Sequence, residues 1–201
     1  MAIDSRARNL VRRLLDPVGA VLARSGVTAN WMTAAGIFLT GVAAALLARE
    51  HFTAAGLVLI AGSLADALDG PVARARGITS LAGSFYDSVA DRVADGLILS
   101  AVAWAVRDDP VLFAAGAIAL VAAQVTSYVR AKAESLGVMC AIGLLERAER
   151  AIALIIGLLF HRWLLAPVLW LLAIGGSVTV VQRIVHVVRK FHRLPLGGEG
   201  A

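Results

Sequence analysis

DALDGPVARARGITSLAGSFYDSVAD, residues 66–91, decides how the rest of the chain is read. It sets four carboxylates, Asp66, Asp69, Asp87 and Asp91, into a chain that is 59% hydrophobic. Asp66 and Asp69 stand three residues apart, Asp87 and Asp91 four apart. On helices each pair therefore shares a face. Two helices meeting on those faces make one acidic cluster. An aspartate costs roughly 2.5–3.5 kcal/mol at the centre of a membrane helix and less near the interface, and four together repel one another. Packing does not account for such an arrangement; a bound cation does.

The surroundings are those of a membrane protein. Only 16% of the 201 residues are charged, and the mean hydropathy is +0.80, which fits an all-α polytopic chain and not a soluble core. The 19 glycines and abundant alanines let membrane helices approach closely. Cys140 is the single cysteine, so no internal disulfide forms; it reads as a small buried or lipid-facing residue. The net charge of +5 comes from basic residues that flank apolar spans without interleaved aromatics. Anionic headgroups and phosphate-bearing substrates suit that pattern, and nucleic acid does not.

Residues 4–25 alternate Arg6, Arg8, Arg12, Arg13 and Arg24 with Leu10, Val11, Leu14, Leu15, Val18, Val21 and Leu22. This periodicity predicts an amphipathic helix on the membrane surface, bent at Pro17. Six apolar spans follow, at about 30–48, from Thr53 through Arg74, from Leu81 to Val106, and at 111–129, 151–160 and 166–182. A polar turn over Gly77–Ser80 and a longer loop from Arg130 to Arg150 interrupt them. Six spans put both termini on one side. Of the basic residues, Arg49, Arg107 and Arg162 alone are left for the other side, so the richer side, with the aspartates, is placed in the cytoplasm. This predicts a multi-pass protein of the cytoplasmic (inner) membrane. One domain, residues 1–201, accounts for the chain, with the interfacial helix at 4–25, a six-helix bundle at 30–190 and a frayed tail after Pro195.

Carboxylate oxygens are hard ligands suited to Mg²⁺ or Mn²⁺. No Cys or His lies in the stretch, which argues against zinc. Four carboxylates balance two divalent cations, and a metal pair clamps a phosphate between attacking and leaving oxygens. Arg74, one turn beyond Gly70, suits a phosphate as well. Gly70 leaves room for a ligand, and Ala73 and Gly83 keep the helices close.

The pattern D-x2-D-G-x2-A-R-x8-G-x3-D-x3-D, formed by Asp66, Asp69, Gly70, Ala73, Arg74, Gly83, Asp87 and Asp91, resembles the signature of the CDP-alcohol phosphotransferases. The resemblance implies a six-helix membrane fold, often homodimeric. It also implies transfer of a phosphatidyl-type group from a CDP-linked lipid to an alcohol, with release of CMP. By position it makes Asp66, Asp69 and Asp87 metal ligands for two Mg²⁺ ions, with Mn²⁺ as the alternative. Asp91 becomes the general base and a further contact to the second metal. CDP-lipid contacts fall on Asp66, Asp69, Gly70, Ala73, Arg74, Ser80 and Gly83. Asn30 and Thr33, in VTANWMT, match the family's polar entry to the first span, although Ala29 stands where many members have proline. Asp95, one turn deeper, reads as a structural partner.

The second half bears on the acceptor. QVTSYVRAKAES, LLERAER and VTVVQR resemble the bacterial phosphatidylinositol-phosphate synthases. In that family three basic positions bind the acceptor's phosphate. Here they are Arg130, commonly lysine, with Arg150 and Arg183; Lys132 and Arg147 read as surface charge. The implied reaction joins CDP-diacylglycerol to inositol phosphate. The rival, phosphatidylglycerophosphate synthase, uses glycerol 3-phosphate and usually carries arginine where Gly36 stands. The loop LGVMCAIGL is unusually apolar and departs from the synthase pattern. A reading from another class, an ion-coupled transporter or metal-binding scaffold, also uses intramembrane carboxylates. Against it, the aspartates cluster near one side and no repeat appears.

Overall fold

The computed structural model describes residues 14–77 and 80–192. Among them every regular element is a helix. These are α1 (residues 14–24), α2 (Ala29–Leu47), α3 (Phe52–Ala75), α4 (Leu81–Ala105), α5 (Pro110–Ser135), α6 (Arg147–Leu159) and α7 (His161–Phe191). Residues 4–13 of the expected surface helix, Ile78 and Thr79 of the turn, Arg193 and the tail after Pro195 lie outside the described residues.

Local chemistry sets the helix starts. Thr28 caps α2 by accepting from the Trp31 N–H at 3.3 Å. Asp109 caps α5, accepting from the N–H groups of Val111 at 2.9 Å and Leu112 at 3.1 Å, with Pro110 opening the first turn. Glu146 and Glu149 form a reciprocal capping box at the head of α6.

Helices α2, α3, α5 and α7 are long and apolar enough to cross a membrane. The other two expected spans differ for separate reasons. α4 has 25 residues but carries Asp87, Asp91, Arg92 and Asp95. α6 has 13 residues, about 20 Å at 1.5 Å per residue, against a hydrocarbon core of about 30 Å. Large apolar side chains such as Phe38, Leu57, Val121, Ile174 and Val181 point outward and are exposed, as lipid-facing positions require.

The chain divides into two compact units, residues 1–98 and 99–201. In the first, α2 and α3 pack along small residues. A Cβ on Gly36 would lie 3.3 Å from the Gly62 carbonyl oxygen and 3.5 Å from Asp66, and one on Gly62 would meet Leu39 at 3.3 Å. This glycine crossing fixes the height at which Asp66 and Asp69 face α2. α1 docks at Gly19, where a Cβ would come within 2.5 Å of Pro71 on α3. Arg76 fastens the α1–α2 link by donating to the carbonyls of Gly26 and Val27, both at 2.9 Å.

In the second unit, the end of α4 meets α5 at Ala103 and Gly116, and α5 meets α7 at Ala122 and Gly176. Phe160 alone separates α6 from α7, and Gly157 packs on Val168 across that bend. The segment after α5 folds inward: Val138 and Cys140 are buried with Ala133, against Ile142 and Val187. Leu145 lies over Gly175, and its N–H donates to Thr179 Oγ1 at 3.1 Å.

Gly62→Leu, which forces the α2–α3 crossing apart, is expected to cost about 1–3 kcal/mol and lower Tm in detergent. Gly41→Ala is the control, because nothing lies within 4 Å of a Cβ there, and its Tm stays at the wild-type value.

Candidate metal and phosphate site

Asp66 and Asp69 project from α3 and Asp87 from α4, and each offers a carboxylate oxygen within 4.8 Å of the others. All three are half-buried. At an effective dielectric of about 20, two unit charges at such a distance repel by roughly 3 kcal/mol or more. A donor set of three clustered hard oxygens fits a divalent cation of the Mg²⁺ or Mn²⁺ kind. Thr33 on α2 supports the set: its single hydroxyl hydrogen serves Asp69 Oδ2 and its own helix's Ala29 carbonyl, each at 3.1 Å.

Asp91 stands outside that cluster. It is half-buried one turn further along α4, with its Oδ1 buried. Asp91 lies on the same face of α4 as Asp87. Asp95 is half-buried a further turn along.

The residues expected to meet phosphate gather at the end of α3 and the start of α4. Arg74 is exposed, and its Nη2 pairs with Asp16 Oδ1 of α1 at 2.7 Å. With the side chains 46% and 50% exposed, such a pair is worth about 0.2–1 kcal/mol. Arg74 Nη1 reaches back over Gly70, 3.2 Å from where a Cβ would stand, so Gly70 makes room for the guanidinium of its own helix. Ala73 is half-buried beside it. Ser80 caps α4: its Oγ accepts from the Gly83 N–H at 3.0 Å, and Gly83 sits tightly over it. Asn30 is exposed in the first turn of α2, three residues before Thr33.

The three expected acceptor cations sit on helices and not in a loop. Arg130 lies near the end of α5, Arg150 in the first turn of α6 and Arg183 in α7. Arg130 is exposed, its Nε paired with Glu134 at 2.9 Å. Arg150 and Arg183 are buried. Arg183 donates through Nε to the Ile142 carbonyl at 2.7 Å and through Nη1 to the Thr126 carbonyl at 2.9 Å. It thus buckles the folded-in segment to α5, a role its spacing in sequence did not disclose. Arg130, Arg150 and Glu146 all lie within electrostatic reach of Arg183. Burial pushes the neighbouring Cys140 thiol above its ordinary pKa, with Arg183 pulling the other way. It stays a neutral packing group.

A conserved domain model described as CDP-alcohol phosphatidyltransferase matches residues 26–187. The chain belongs to that family, whose name fixes the general class of enzyme. Among particular relatives, it is 34% identical over 192 residues to the phosphatidylinositol phosphate synthase of Mycobacteroides abscessus, covering 91% of this chain and 87% of that one. It is 35% identical over 184 residues to the archaetidylinositol phosphate synthase of Methanothermobacter thermautotrophicus, covering 90% and 91%. Among solved structures, the phosphatidylinositol phosphate synthase of Mycobacterium tuberculosis with CDP-DAG bound superposes with a TM-score of 0.80 at 32% identity, over 87% of this chain and 94% of that one. Its complex with manganese and citrate gives 0.81 at 31% identity, over 87% and 88%.

Electron paramagnetic resonance of added Mn²⁺ checks the donor set. Purified protein is expected to bind the ion. Asp69→Asn should weaken binding at least tenfold, because a charged ligand is lost, and Asp91→Asn, outside the cluster, should weaken it less.

Proposed function

We propose that this protein transfers the phosphatidyl group of CDP-diacylglycerol to inositol phosphate, forming phosphatidylinositol phosphate and releasing CMP. The observation that carries the reading is the convergence of Asp66, Asp69 and Asp87 to within 4.8 Å across consecutive helices, in a chain whose relatives are named for inositol phosphate lipids. Asp66, Asp69 and Asp87 would hold Mg²⁺ or Mn²⁺, two ions in the full assignment, and a cation bound there draws negative charge from the diphosphate. Arg74 takes a diphosphate oxygen, with Gly70 and Ala73 giving the nucleotide access. Asn30, Thr33, Ser80 and Gly83 border the same end.

The acceptor's hydroxyl oxygen attacks the lipid-side phosphorus as the phosphorus–oxygen bond to CMP breaks. Asp91 receives the hydroxyl proton and is assigned a contact to the second ion as well. Arg130, Arg150 and Arg183 are assigned to the acceptor's phosphate. Arg183 has Nη2 left for this once its two carbonyl bonds are counted, and Arg130 would exchange Glu134 for phosphate. At Gly36, where the glycerol-phosphate enzymes usually carry arginine, the Gly62 carbonyl leaves no room for a side chain without a shift of α3. This favours inositol phosphate as acceptor. Six spans with a surface-lying N-terminal helix, a homodimer and a site on the cytoplasmic face of the cell membrane complete the proposal. The supports are the outward apolar side chains and the lopsided distribution of arginine.

An acceptor panel tests the reaction. With CDP-diacylglycerol and Mg²⁺, CMP should appear with inositol phosphate and stay at background with glycerol 3-phosphate, free inositol or serine. CMP release with glycerol 3-phosphate instead would hand the chain to the rival synthase, and uptake without CMP release to a transporter. Excess chelator should stop turnover and Mg²⁺ restore it. Arg150→Ala should raise the KM for inositol phosphate about 10- to 100-fold, the worth of a charged hydrogen bond, with little change in the KM for the lipid. Asp91→Asn should abolish turnover while CDP-lipid affinity persists.

A further inference from the structure

Arg74 does not hang free at the end of α3. Its Nη2 is held by Asp16 of α1 at 2.7 Å. Its Nη1 lies over Gly70, 3.2 Å from the position of a Cβ there, immediately after the metal-site residue Asp69. The guanidinium therefore has one edge anchored on α1 and the other lying over Gly70. Asp16 is itself fixed in place. Gly19, three residues on and on the same face of α1, is buried against Pro71. Beyond the helix, Arg76 grips the carbonyls of Gly26 and Val27.

We propose that Asp16 is a positioning residue for the CDP-linked lipid, acting through Arg74. By occupying the outer edge of the guanidinium it removes the rotamer freedom of a long side chain and leaves the inner edge aimed over Gly70 for a diphosphate oxygen. The inference rests on the reading that Arg74 meets that diphosphate. It assigns a function to a residue of the amphipathic helix that surface association alone does not require. It also links the seating of α1 to donor binding, since displacing α1 releases Arg74.

The test uses the full chain in detergent micelles with CDP-diacylglycerol as probe. Equilibrium binding, both KM values, kcat and Tm are measured together. Asp16→Asn is expected to weaken lipid binding and raise its KM about two- to fivefold, the range of an exposed ion pair. The KM for the acceptor, kcat and Tm should hold. Asp16→Glu should recover most of the affinity. In an Arg74→Ala background Asp16→Asn should add nothing, because the two act as one unit. Unchanged or tighter binding by Asp16→Asn would overturn the proposal, tighter binding by making Asp16 a competitor of the diphosphate. So would an equal loss in the Arg74→Ala background, or a fall in Tm that tracks the loss of affinity, which would make Asp16 a fastener of α1 only. If the wild-type chain binds no CDP-diacylglycerol, the functional reading itself fails and takes this inference with it.

Discussion

Three half-buried carboxylates held within 4.8 Å of one another are the constraint around which the first unit is organised. Their repulsion works against the packing that brings them together, so the scaffold must be stiff. It is stiff because α2 and α3 touch backbone to backbone at Gly36 and Gly62, where no side chain can yield. One turn from that crossing, Thr33 places its hydroxyl on Asp69 and fixes one member of the cluster. On the opposite side Gly19 and Pro71 seat α1. Small residues here act as rigid spacers that hold charges where they would not settle unaided.

Residue spacing disclosed much of this. The three- and four-residue intervals place Asp66 and Asp69 on one face of α3 and aim Asp87 at them, because helical periodicity alone decides which side chains share a face. It does not decide how far apart the oxygens lie, and the close triad takes in Asp87 without Asp91. Apolar windows located six helices but cut two of them short at the first arginine. α5 runs on through Arg130 to Ser135, and α7 starts at His161 and ends at Phe191, because backbone hydrogen bonding continues a helix past the point where hydropathy falls. Ser80, read as a nucleotide contact, is the cap of α4. Asp16 was lost among the arginines of an amphipathic face. Its partner is 58 residues away, and no local pattern carries that pairing.

The second unit depends on a buried cation. Arg183 spends two donors on carbonyls 41 and 57 residues distant, which secures a segment with little regular structure between α5 and α6. Burying a guanidinium is costly unless its donors are met, and these carbonyls meet one on Nε and one on Nη1. The same residue is the one assigned to the acceptor's phosphate, so one side chain would both fold the segment and face the ligand. In the unusually apolar stretch around Cys140, Val138 and Cys140 are buried with Ala133, while Leu136, Met139 and Leu144 are exposed.

The length of α7 carries a consequence of its own. Its 31 residues extend about 46 Å, roughly half as long again as the oily interior of a bilayer. Counted from His161, about 20 residues fill that interior, so the boundary with the headgroups falls close to Arg183. Arg183 at that depth is sheltered by protein: its guanidinium is buried and bonded to the carbonyls of Ile142 and Thr126, so a cation stands near the edge of the oily layer without facing it.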